Sequence, residues 1–179
     1  MTTLTTPRLI VRPFREADLP AFTAYRNDLA VARYQGWALP YPAEAARAML
    51  SERTLGEEGW VQRAVTLPDG TLLGDVALNA LGPQAELGMT LATHAQGQGY
   101  AREALTALIA HAFGVLGLHR LHAGIDPRNE PVTRLLTRLH FRHEGTHIQS
   151  YWHRGEWTDE ATYALLRSEW THDPTENLH

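Results

Sequence analysis

The chain has no cysteine among its 179 residues and, read position by position, no lysine either. Without cysteine there are no disulfides, no thiolate metal ligands and no cysteine nucleophile. Without lysine all 16 basic residues are arginine, which excludes a P-loop lysine, a Schiff-base lysine and the phosphate-binding lysine of a kinase. Cationic excess is missing too. The formal net charge is −4, so no global field draws the chain to nucleic acid, whose affinity comes largely from neutralised phosphates. No apolar run approaches the roughly 18 residues of a membrane span, and Met1-Thr2-Thr3-Leu4-Thr5 lacks the basic-then-apolar order of a signal peptide. The expectation is a cytoplasmic protein with neither a membrane nor a nucleic acid as direct partner.

What is present suits one packed domain, expected over residues 1–170 with a polar tail at 171–179, because 44% hydrophobic and 20% charged residues are ordinary for a globular chain. Leu9-Ile10-Val11 reads as a strand ending at Pro13, followed by a helix from Glu16 to Asp28 and a second from Pro42 to about Gly56. Trp60 to Leu67 and Thr71 to Leu81 flank Pro68-Asp69-Gly70, a hairpin signal, and Gly82-Pro83 leads into a further strand from Gln84 to Leu91. From Tyr100 to Leu116 apolar residues recur at steps of three and four, which predicts a long helix stopped by Gly117. A strand from His119 to Ile125, a short helix from Pro131 to His140, and a closing hairpin of Phe141 to Trp152 with Ala161 to Arg167 complete the chain. The order βααβββαβαββ implies an α/β domain with a mixed, mostly antiparallel sheet of about seven strands and about four helices on its faces.

Chemistry concentrates at Gln96-Gly97-Gln98-Gly99-Tyr100-Ala101-Arg102, between a predicted strand and the start of the long helix. The first N–H groups of a helix lack intrahelical partners and sit at its positive end, so a diphosphate can accept several hydrogen bonds there. Gly97 and Gly99 allow close approach, and small Ala101 leaves those donors uncovered. A dinucleotide fingerprint fails, because its last glycine falls on Arg102.

Gln96-Gly97-Gln98-Gly99-Tyr100-Ala101 resembles the Q/R-x-x-G-x-G/A acetyl-coenzyme A signature of the GNAT superfamily of N-acetyltransferases. Thr6-Pro7-Arg8-Leu9-Ile10-Val11-Arg12-Pro13, Ala85-Glu86-Leu87-Gly88, Tyr100-Ala101-Arg102-Glu103-Ala104, and Asn129 twelve residues before Phe141 are similar to its Rim-type branch, which acetylates protein N-termini. The likeness covers about residues 6 to 168. It implies a single GNAT-like domain in which backbone amides from Gln96 through Arg102 hold the diphosphate of acetyl-coenzyme A. It also implies that the pantetheine arm runs beside Met89, Thr90 and Leu91 in a cleft between splayed strands, with an amide near Leu91 as oxyanion donor and Asn129 lining the arm.

A protein α-amino group titrates near 7.7 to 8.0 and is already partly neutral, so a carboxylate acting through water suffices as base. Glu86 is the candidate, on the strand face opposite Ala85, Leu87 and Met89. The acid is less defined. Val132 stands where relatives often place serine and Leu136 where other branches place tyrosine, leaving Thr133 as candidate donor, although a first-turn threonine more often bonds to backbone. Without cysteine, direct transfer in a ternary complex is expected rather than an acetyl-cysteine route. The resemblance also implies that Tyr34 and Trp37, in the loop between the first two helices, border the acceptor mouth, as the corresponding loop does in the family. The acceptor is expected to be a peptide or protein N-terminus, the alternatives being a small-molecule amine or a module that binds coenzyme without catalysis. A homodimer is left open.

His143-Glu144-Gly145-Thr146-His147 matches the zinc-peptidase pattern H-E-x-x-H. Gly145 and the β-prone residues after it argue for a strand, where positions four apart lie roughly 13 Å from each other at about 3.3 Å per residue. Zinc to nitrogen bonds are about 2.0 Å, so both imidazoles cannot hold one ion and no metal is expected.

Overall fold

In the computed structural model, which describes residues 2–170, Pro68-Asp69-Gly70 turns the chain as expected: Gly70 takes φ +92° and Asp69 accepts the Thr71 N–H at 2.9 Å. The expected tail at 171–179 lies outside the described residues. This turn joins β3 (Gly59–Thr66) to β4 (Leu72–Leu81), and β5 (Gln84–Leu91) pairs antiparallel with β4. With β1 (Leu4–Thr5), β2 (Ile10–Arg12), β6 (Arg120–Ile125), β7 (Arg142–His153) and β8 (Glu156–Leu166), the strands form one sheet ordered β1-β2-β3-β4-β5-β6-β8-β7. Only β5 and β6 run parallel among the described strands.

Among the described residues the α-helices number five rather than about four, and the strands eight rather than about seven. The predicted helix over 16–28 becomes a 3-10 turn, Glu16–Asp18, then α1 (Leu19–Asn27), and the chain restarts as α2 (Leu29–Ala32). Asp28 explains the break: its backbone is extended and its carboxylate accepts the Ala30 N–H at 2.9 Å, capping a new helix. The helix expected from Pro42 to Gly56 is only α3 (Ala43–Arg47). Beyond it, Ser51 and Glu57 side chains bond the backbone N–H groups of Arg53 and Thr54, an alternative to helical hydrogen bonds. The closing strand starts at Glu156 rather than Ala161, because Arg154 and Gly155 both adopt positive φ and make a tight turn.

The sheet carries helices on both faces. Against one lie α4 (Tyr100–Gly114) and α5 (Glu130–Arg138), with Leu105, Leu108 and Ile109 packed on Val76, Leu78 and Leu121. Each such side chain contributes about 1.5–3 kcal/mol by leaving water, so α4 is held by its buried stripe. On the other face Phe14, Phe22, Tyr25, Val31 and Ala46 cover Ala64. There Asp75 of β4 accepts from Tyr25 at 2.6 Å and Arg26 at 2.8 Å, and the Arg26 guanidinium lies 3.9 Å from the Trp37 ring centre. No helix of the described residues is long and apolar enough to cross a membrane.

Candidate active site

The parallel pair holds for only three positions: Gln84 with Arg120, Ala85 with Leu121, and Glu86 with His122. Beyond that point β5 stays with β4 while β6 stays with β8 out to Ile125, so the sheet forks. Ala92 donates its N–H to Leu73 beside β4, and side alternation along the strand therefore turns the N–H groups of Met89 and Leu91 the other way, into the fork. The Leu91 carbonyl accepts the Gln96 side-chain amide at 3.1 Å.

At the mouth of this fork stands the start of α4. Gly97 and Gly99 take φ +74° and +81°, conformations that exclude most side chains, and residues 96 to 99 are exposed. Among the described residues nothing accepts a hydrogen bond from the backbone N–H of Gly97, Gln98, Gly99, Tyr100 or Ala101. A Cβ at Gly97 would meet no atom within 4 Å. This open run of donors at a helix N-terminus fits a diphosphate. The glutamines do not aim at it through their side chains: Gln96 is tied to Leu91, and Gln98 reaches the His94 carbonyl at 2.8 Å.

A clamp that sequence reasoning missed positions this loop. Glu103 accepts from Thr6 at 2.6 Å, from the Arg8 backbone at 2.8 Å and from the Arg8 guanidinium at 2.6 Å. Arg8 in turn donates to the Gln98 carbonyl at 3.0 Å and lies 4.7 Å from the Tyr100 ring centre. Burial pushes the Glu103 carboxyl up, but its bonds to Thr6 and Arg8 outweigh that and hold it below the usual range.

Opposed residues on neighbouring strands share a face, so Trp60, Asn79, Glu86 and His122 form a row across the sheet on the α1 side. Glu86 is half-buried at the apex of the fork, as strand alternation predicts. A Cβ on Gly88 would come within 3.1 Å of the Trp60 ring, which places that ring over Gly88, two residues along the same strand face from Glu86. Sequence reasoning assigned roles to neither Trp60 nor His122.

Asn129 precedes α5, is half-buried, and does not use its side chain to cap the helix. The Thr133 hydroxyl donates to the Asn129 carbonyl at 3.4 Å, the backbone-bonded arrangement. Tyr34 reaches the Arg128 carbonyl at 3.4 Å, spanning from the loop after α2 to the loop after β6. Trp37 is pinned instead, its indole N–H on the Arg26 carbonyl at 2.9 Å and its ring against the Arg26 guanidinium. His143 and His147 lie on β7 as expected, opposite Tyr163 and Glu160, and no three potential metal-ligating side chains cluster among the described residues.

Residues 8–142 match the family described as an acetyltransferase (GNAT) domain. The chain belongs to the GNAT acetyltransferases. It is 30% identical over 176 residues to the uncharacterized N-acetyltransferase p20 of Bacillus licheniformis, covering 95% of this chain and 99% of that one. It is 29% identical over 169 residues to the uncharacterized N-acetyltransferase YnaD of Bacillus subtilis strain 168, covering 93% and 98%. A GNAT acetyltransferase from Bacillus anthracis superposes with a TM-score of 0.81 at 28% identity, over 94% of this chain and 100% of the other. At fold level alone, the GNAT neighbours include a spermidine N-acetyltransferase from Vibrio cholerae in complex with CoA and spermine. That match has a TM-score of 0.78 at 22% identity and covers 92% and 98%. They also include RimL, a ribosomal L7/L12 alpha-N-protein acetyltransferase in complex with coenzyme A, at TM-score 0.79, 21% identity, and 92% and 98% coverage. One GNAT scaffold thus carries a polyamine enzyme and a protein N-terminal enzyme, so the acceptor has to be argued from side chains.

Proposed function

We propose that this GNAT chain transfers the acetyl group of acetyl-coenzyme A directly to a primary amine, the α-amino group of a peptide or protein being the acceptor favoured by the resemblance to the Rim-type branch. One observation carries the reading: the open N–H run at the start of α4 lies at the mouth of the β5–β6 fork, whose apex holds Glu86. The thioester supplies an activated acyl group. The chain's part is to bind, orient and take a proton. Backbone amides of Gly97 through Ala101 hold the diphosphate, whereas the Gln96 N–H is engaged by the Thr93 carbonyl at 3.2 Å. Met89 and Leu91 present main-chain groups to the pantetheine arm, those of Thr90 facing β4 by the same alternation, and Asn129 flanks the arm from α5. The Leu91 N–H, directed into the fork, is placed to stabilise negative charge on the carbonyl oxygen during attack.

As the amine nitrogen bonds to the carbonyl carbon and the carbon–sulfur bond breaks, Glu86 takes the amine proton through a water molecule. The departing thiol has a pKa near the cysteine-like value of about 8.5 and leaves as thiolate with limited help, so the bonded Thr133 hydroxyl is a minor donor. Tyr34 borders the acceptor entrance, while Trp37 supports it from behind. Acetyl-coenzyme A is to be supplied with peptides beginning in Ala, Ser or Thr and with small amines, following thiol release. Turnover on peptides is expected; turnover confined to small amines moves the acceptor to that class, and coenzyme binding with no turnover on any amine leaves a binding module. Replacing Glu86 by Gln should slow transfer at least tenfold with coenzyme affinity retained. An unchanged rate across a pH series removes Glu86 from the mechanism.

A further inference from the structure

Most described carboxylates sit on an arginine or accept a hydrogen bond from an N–H or O–H group. Those without either are Glu16, Glu44, Glu52, Glu58, Glu86 and Glu160, and of these only Glu86 and Glu160 are half-buried rather than exposed. Glu86 has the role argued above. Glu160, on β8, has none.

Its position is defined by a glycine. A Cβ built on Gly124 of β6 would stand 3.0 Å from Glu160 Oε1 and 3.4 Å from its carboxyl carbon, so the carboxylate occupies the space above Gly124 that a side chain would fill. Gly124 lies two residues past His122 on the same strand face, and His122 is the partner of Glu86 at the apex of the fork. Two residues span about 6.6 Å of strand. Glu160 therefore overhangs the β6 wall of the cleft, on the same side of the sheet as Glu86 and beyond the point where β5 and β6 part. Among the described residues no ion pair joins Glu160 to His147, its opposite on β7. The neighbouring Asp126 and Glu156 are both engaged by Arg128, so the local arginine is already committed.

A partly desolvated carboxylate without a counter-ion is costly, and the cost is relieved by a cation. We infer that Glu160 is a specificity-determining residue that takes a second cationic group of the acceptor. The favoured acceptors are then amines that carry a further ammonium or guanidinium close to the reacting nitrogen. The inference rests on the acetyl-transfer reading, with Glu86 marking where the reacting amine sits. Two sources offer this chemistry, a linear diamine and a peptide whose second residue is Lys or Arg.

The test compares butylamine with diaminobutane, and Ser-Ala peptides with Ser-Lys peptides, in the wild type, Glu160→Gln and Glu160→Asp. A charge-assisted hydrogen bond of this kind corresponds to about tenfold or more in affinity. The dicationic member of at least one pair should show a KM lower by about that factor. The gap should close in Glu160→Gln and survive in part in Glu160→Asp, with melting temperature and coenzyme Kd reporting an intact fold. Which pair shows the gap identifies the source. Equal KM values within both pairs, or a gap undiminished in Glu160→Gln, overturns the inference while leaving acetyl transfer standing. Calorimetry of diaminobutane and Ser-Lys peptide on the coenzyme A complex keeps the two readings separate. If no amine is acetylated, the function proposed above falls, yet binding of either dication weakened in Glu160→Gln still upholds the cation site, and no such binding removes it.

Discussion

Gly97 isolates backbone conformation from side-chain crowding at the residue scale. Its φ of +74° disfavours any Cβ, yet a Cβ there would touch nothing within 4 Å. Gly97→Ala therefore strains the loop by about 1–2 kcal/mol without a clash. We expect coenzyme A affinity to fall about five- to thirtyfold by calorimetry, with little change in melting temperature because the loop is exposed. Unaltered affinity would mean that these amides do not hold the diphosphate. Glu103 acts one step further away. Glu103→Gln removes the ion pair that lets Arg8 reach the Gln98 carbonyl, so a loss of coenzyme affinity smaller than that of Gly97→Ala is expected. The glycines were legible because a positive-φ turn before a helix leaves few residue choices. The clamp was not, since Arg8 and Glu103 meet only after the sheet has brought the turn between β1 and β2 beside the start of α4.

Between β3 and α4 lies an element-scale device. His111 of α4 is buried with an unpartnered Nε2, and Arg63 of β3 is 1% exposed with an unpartnered Nε. Burial first, and the Arg63 charge second, hold the His111 imidazole below its ordinary value. A histidine depressed on folding takes up protons preferentially in the unfolded chain. Its contribution to stability is thus complete above the ordinary imidazole value of about 6.5 and is lost as pH falls through the lower folded value. Denaturant midpoints measured through that window should decline, by no more than about 1.4 kcal/mol per pH unit for one group, and His111→Leu should flatten the slope. A slope unchanged in the variant would locate the titration elsewhere. Long elements such as α4 were readable because a three-and-four spacing of apolar residues over four turns has one interpretation. Short ones were not: Asp28 reads equally as a last helical residue and as a cap, and only its extended backbone decides for α2.

At the scale of the whole molecule the acceptor side depends on a bridge between distant parts of the chain. The hairpin of β7 and β8 reaches the loop after α2 through Arg154, whose guanidinium donates to the carbonyls of Ala32, Gln35 and Trp37 at 3.3, 3.4 and 3.1 Å. His153 adds a bond to the Arg33 carbonyl at 2.9 Å. A Cβ on Gly36 would stand 2.6 Å from the Tyr151 hydroxyl, so the loop and the hairpin are in direct contact. None of this touches the α4 terminus, and the fork itself was not visible in the sequence, because where β6 leaves β5 depends on β8 pairing with β6 along its whole length. The two halves of the cleft are consequently separable. Arg154→Met keeps the stem and removes the donors. Acceptor KM should rise about three- to tenfold as the loop bearing Tyr34 loosens, corresponding to about 0.7–1.4 kcal/mol, the value of a hydrogen bond or two. Coenzyme Kd should stay within twofold of the wild type. A matching loss of coenzyme affinity would show that loop and α4 terminus move as one unit, and the acceptor loop would then have to be treated as part of the coenzyme site.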